Sequence, residues 1–178
     1  MPELWTLALM KAIIIGLVVV CLASFGWCAG AKPSSDEVIV KVLAVTMPHD
    51  TDKRERFLWD HFANKPEADK FQSYETEGWE NNFAKFSESL VRKAETQKLD
   101  SASLRKSLGL VLKDSADKIA YLPVGAYQTT LDGKPVWIIV VVWEYAYSPE
   151  RGKFGLGHIR MFAFDQKTFQ RVGYCTCK

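Results

Sequence analysis

Cysteine is scarce in this chain. There are four among 178 residues, and Cys21 and Cys28 fall within the opening apolar region. Only Cys175 and Cys177 remain for the body. That is too few for a disulfide-stapled scaffold, so the fold must be held by its core. An excess of one charge is lacking too: 23 Lys plus Arg stand against 21 Asp plus Glu, a net charge of +2. Nucleic acid calls for a clustered basic face, and none is present. There is no internal repeat, and after the first segment no run is apolar enough to span a bilayer. No Asn-x-Ser/Thr acceptor occurs: Asn64 precedes Lys-Pro, Asn81 precedes Asn-Phe and Asn82 precedes Phe-Ala. This tilts the reading toward a bacterial exported protein. A nucleophile elbow, an H-E-x-x-H pair, a phosphate loop and a dinucleotide fingerprint are all missing, so the sequence points to no catalytic residue and no cofactor.

The opening stretch, "MPELWTLALMKAIIIGLVVVCLASFGWCAGAK", is what decides the expected compartment. Lys11 ends a short leading region, an uncharged run follows to Ala31, and Ala29-Gly30-Ala31 fits a small-residue cleavage site. Residues 1–31 therefore read as a signal peptide cut before Lys32, or as an uncleaved membrane anchor. Either reading makes the protein exported, with the bacterial periplasm or cell envelope as its place. A lipid on Cys21 or Cys28 fits poorly, because Val20 and Trp27 precede them.

Residues 32–178 have the size of one domain. "AKPSSDE" reads as a polar linker and "EVIVKVLAVTM" as a strand. Asp52 with Glu55 has the pattern of a helix cap, followed by Phe57, Leu58 and Phe62. Lys65-Pro66 interrupts that helix, and a longer one is expected from Pro66 to about Gln97, with Gly78 marking a kink. Its stripe of Phe71, Tyr74, Trp79, Phe83, Phe86, Leu90 and Val91 is expected in the core. Asp100 caps a third helix.

From Ile119 the apolar period becomes two. "IAYLPVGAYQTT" and "KPVWIIVVVWEYAY" flank the turn signal Asp132-Gly133, and "HIRMFAFD" and "FQRVGYCTC" follow. The expected fold class is α+β: an N-terminal strand and helices, then a four-stranded antiparallel meander. This order is similar to the cystatin-type fold, in which a long helix lies across a curled antiparallel sheet. "FDQKT", through Asp165 and Thr168, resembles the last turn of PepSY-type domains, small exported modules with a helix packed on a sheet. Each likeness concerns the body alone and implies no function.

The second meander strand carries the candidate site. Trp137, Ile139, Val141, Trp143, Tyr145 and Tyr147 alternate onto one face, and the other face is apolar as far as Glu144. Helices can cover one face. The aromatic face is then either core, a groove for a protein, peptide or small ligand, or a homodimer interface. His158 and Arg160 on the next strand and Arg171 on the last place two arginines beside aromatics, a combination suited to a carboxylate or phosphate. The alternatives for these arginines are a solvated rim, or pairing with Glu144 or Asp165. The candidate ligand-binding set is Trp143, Tyr145, Tyr147, His158, Arg160 and Arg171, with the loop at 148–157. "HDTD" at 49–52 offers an imidazole and two carboxylates, but neighbours in sequence rarely converge on one ion, and no metal is expected.

Cys175 and Cys177 point to the same side of a strand, about 6.8 Å apart, whereas a disulfide needs Cβ atoms about 3.5–4.5 Å apart. Only a bent strand end closes the ring. They read either as two thiols on one face or as a local redox pair, and the second reading gives the alternative function of a thiol-dependent redox protein.

Overall fold

A computed structural model describes residues 34–63, 70–115, 119–145, 153–154 and 158–176, all of them within the compact unit Lys32–Lys178. Residues 1–31 lie outside the described residues, as do Tyr147, Cys177 and most of the 148–157 loop. The elements run β1 (Ile39–Val42), α1 (Thr51–Phe62), α2 (Trp79–Thr96), α3 (Ser101–Asp114), β2 (Ile119–Leu131), β3 (Lys134–Tyr145), β4 (Ile159–Asp165) and β5 (Arg171–Thr176). The fold is α+β; the described residues form three α-helices and one five-stranded sheet in the order β1-β2-β3-β4-β5. β2 to β5 pair in succession as antiparallel neighbours. β1 joins β2 in parallel, which makes the sheet mixed.

Four local expectations are corrected. The long helix is broken: Lys70–Ser73 is a 3-10 turn, and α2 begins only at Trp79. Gly78 has φ +64°, a left-handed conformation that glycine adopts without strain, so it starts α2 rather than kinking it. The cap of α1 is Asp50, not Asp52; its Oδ1 accepts from the Asp52 and Lys53 amides at 2.9 and 3.4 Å. Within the stretch read as a polar linker, Ser34 to Glu37 are also structured. Ser34 and Glu37 form a capping box over a 3-10 turn, and Lys93 Nζ donates to the carbonyls of Asp36 and Val38 at 2.6 and 2.8 Å.

The question of what covers each face of β3 has a direct answer: helices cover both. Trp137 Nε1 donates to Ser103 Oγ of α3 at 2.8 Å, so the aromatic face meets the α2–α3 layer. Ile138 points the other way, beside Tyr127 and Ala163 in register. There Phe62 of α1 lies 4.7 Å from the Tyr127 ring. A strand buried on both faces can be apolar throughout, and Val136 to Glu144 are all buried. This departs from the cystatin-type and PepSY-type arrangement, where helix covers one side of the sheet.

α1 seats on β5 through a glycine. A Cβ at Gly173 would stand 3.3 Å from Ala163 Cβ, 3.3 Å from Met47 Cε and 3.4 Å from Leu58 Cδ1. Gly173→Val adds two further methyl groups at that seam and is expected to cost about 1–3 kcal/mol in urea unfolding. An unchanged midpoint would mean that α1 does not seat there. Both sheet edges are blunted by side chains. Arg54 Nη1 of α1 donates to the Val172 carbonyl at 2.5 Å, and Nε2 of Gln97, the C-cap of α2, donates to the Val40 carbonyl at 3.1 Å.

Candidate functional site

One irregularity builds the candidate site. Tyr121 and Tyr127 are six residues apart and would share a face in a regular strand. A bulge between Pro123 and Gly125 shifts the register, so that Tyr127 opposes Ile138 while Tyr121 opposes Trp143. Pro123 is tolerated because β1 pairs only with Gly125–Gln128, leaving β2 an edge at that point. The bulge thus carries Tyr121 onto the aromatic face, at the end of the sheet where β3 meets β4.

There β4 supplies His158 and Arg160. The Trp143 amide donates to the His158 carbonyl at 2.9 Å, and the two rings stack at 5.0 Å and 22°. The Arg160 guanidinium lies over the indole of Trp143, 4.1 Å from its centroid, and reaches Tyr121 at 5.4 Å. Its Nη1 donates to the Tyr121 hydroxyl, and its Nε donates to Thr176 Oγ1 at 3.4 Å. Tyr145 meets Trp143 edge-on at 5.7 Å. The structure therefore brings four of the expected residues together: Trp143, Tyr145, His158 and Arg160.

Their exposures differ sharply. Trp143 is 2% exposed and Tyr145 48%. Among the described residues the aromatic face of β3 is core from Trp137 to Trp143, and its Tyr145 end meets solvent beside the half-buried Arg160. The open groove considered from sequence is not present over Trp137 and Trp143, because α2 and α3 fill one part and Arg160 lies across the other.

Arg171 stands apart. On β4 it is in register with Phe164, four residues from Arg160, and its Nη1 is tied to Asp114 of α3 at 3.0 Å. The two arginines do not form one fork. Neither is paired with Glu144 or Asp165. Asp165 Oδ1 accepts from the Lys167 and Thr168 amides at 2.9 and 2.7 Å, and these bonds, that of Thr168 first, hold its carboxyl below the usual range. Glu144 lies 2% exposed on the opposite face of β3, and its Oε2 is 3.1 Å from His158 Nδ1.

Sequence reasoning missed Tyr121 and Thr176 and gave Glu144 too little weight. A proline inside an otherwise regular strand was the available signal for the bulge. A lone carboxylate ending an apolar run was the signal for Glu144. No family model, curated protein or solved structure matches this chain. Its function has to be argued from the site.

The electrostatics of the site center on Arg160. Among the described residues no carboxylate lies within ion-pair distance of it, whereas the exposed Arg171 is matched by Asp114, and Glu144 Oε2 lies 3.1 Å from His158 Nδ1. Burial, opposed by Arg160, raises the pKa of Tyr121, so the phenol stays neutral and leaves the guanidinium charge uncancelled. Cys175 lies on the α1 face opposite Met161, 2% exposed. His49 Nδ1 is 2.8 Å from Asp132 in the β2–β3 turn. No cluster of three or more metal-ligating side chains occurs among the described residues. No helix among them is long and apolar enough to cross a membrane.

Proposed function

We propose that this chain is an exported or envelope-anchored binding module, and that its capture site is the Tyr121–Trp143–Tyr145–Arg160 end of the sheet. One observation carries the reading: a half-buried guanidinium, stacked on an indole, whose described hydrogen-bond partners are two hydroxyls. Half-buried arginines ordinarily face a carboxylate, and here a ligand completes the pair. The rigid strands on either side hold the fork in place before any ligand arrives, which lowers the ordering cost of capture. The export part rests on the signal pattern of residues 1–31. A thiol-based function has less support, because Cys175 is buried and buried thiols are poorly reactive.

The test is chemical-shift mapping on the ¹⁵N-labelled full chain with a small-molecule extract of the cells that make it. The reading expects shifts at Trp143 Nε1–H, Arg160 Nε–H and the Tyr145 amide. Shifts clustered elsewhere, or none, would count against it.

A further inference from the structure

We infer that the capture site takes a carboxylate carried on a flat or apolar body, with Arg160 as the fork that holds it and Tyr145 as the platform beside it. This rests on the capture reading above and names the chemistry of its ligand.

The donors are present. A guanidinium has five N–H groups. Arg160 uses one on Thr176 and one on Tyr121, which leaves one on Nη1 and both on Nη2 without an acceptor among the described residues. Two such parallel donors match the two oxygens of a carboxylate. Stacking on Trp143 and the bond to Tyr121 fix the plane of the fork, so little freedom is lost when the pair forms.

Charge counting favours a monoanion. Arg171 is matched by Asp114, and Glu144 Oε2 lies 3.1 Å from His158 Nδ1, so among the described residues of this end Arg160 is the guanidinium left without a carboxylate. A phosphate dianion would call for a second guanidinium at this fork, and among the described residues Arg171 is tied to Asp114 instead. The exposed Tyr145 ring, edge-on to Trp143, gives an apolar surface next to the fork. A carboxylate with an aromatic or aliphatic neighbour uses both features, whereas a bare inorganic anion uses one.

Two sources carry this chemistry: a small organic acid and the free C-terminus of a peptide. Calorimetric titration of the full chain distinguishes them, using phenylacetate, phenylacetamide, inorganic phosphate, and acetyl-Ala-Ala-Phe as free acid and as amide. Saturable binding is expected for at least one acid, at least tenfold tighter than for its amide and than for phosphate. Arg160→Lys, which keeps the charge and loses the fork, and Arg160→Gln are each expected to weaken it tenfold or more, with circular dichroism unchanged. Arg56→Gln, on the exposed side of α1, is expected to change it less than twofold. A tighter peptide acid assigns the ligand to a peptide terminus, and a tighter phenylacetate assigns it to a small acid. The inference is overturned if amide and acid bind alike, if phosphate is preferred, if Arg160→Gln binds as well as the parent, or if no acid binds. Amide binding that Tyr145→Ser weakens would overturn the carboxylate while sparing the capture reading.

Discussion

Trp143→Ser is expected to cost about 3–5 kcal/mol in denaturant unfolding, and Tyr145→Ser less than about 1 kcal/mol. The two residues are neighbours on one strand face, and sequence alone treats them alike. In the fold Trp143 is 2% exposed, wedged between the His158 ring and the Arg160 guanidinium, while Tyr145 is 48% exposed. Serine at 143 leaves a cavity of indole size and strips the guanidinium of its stacking surface. Serine at 145 removes a ring that is already half in water. Paired urea titrations read the difference. Equal midpoints for the two variants would mean that Trp143 is not enclosed, and the sheet end would have to be an open aromatic groove after all.

The second large effect is expected at the other end of the same face. Trp137→Ala should also cost about 3–5 kcal/mol. Trp137 is fully buried, and its indole nitrogen bonds Ser103 in the first turn of α3. The substitution opens a cavity and removes the indole N–H that donates to the Ser103 hydroxyl, so the helix loses its anchor to β3. Trp137→Phe separates the two contributions. It fills most of the space and forfeits the hydrogen bond, whose net worth is about 0.5–1.5 kcal/mol. A loss in Trp137→Ala no greater than in Trp137→Phe would place α3 elsewhere than on this face.

These two positions also show what could be read from sequence. The alternation from Lys134 to Tyr145 is regular, and the Asp132-Gly133 pair, with φ of 53° and 74°, makes the two-residue turn its chemistry demands. Hence the meander was legible. Strand pairing across a short turn is local information. The parallel attachment of β1 was not legible, because it joins residues some 86 positions apart in register, Ile39 with Gly125. Nor was the second helical layer. The stripe Phe57, Leu58, Phe62 says that α1 buries one side, but not which side of the sheet it buries against.

The site was half legible. Trp143, Tyr145, His158 and Arg160 converge because two adjacent strands pair in the expected order. Arg171 was expected with them and instead finds Asp114, a partner on a helix whose placement no strand pattern specifies. Tyr121 was missed because a one-residue bulge reverses which face it takes, and the alternation rule assumes no bulge. Cross-strand neighbours follow from register, while contacts between layers depend on how helices dock. That difference separates what was found from what was missed.

The central claim is that Arg160 holds a ligand in the protein as cells make it. Native mass spectrometry of the chain isolated gently from expressing cells tests this most directly, with Arg160→Gln isolated in parallel. The account predicts a non-covalent small-molecule or peptide mass on the parent protein that is absent from the variant. A parent protein with no added mass, or the same mass retained by Arg160→Gln, would contradict it.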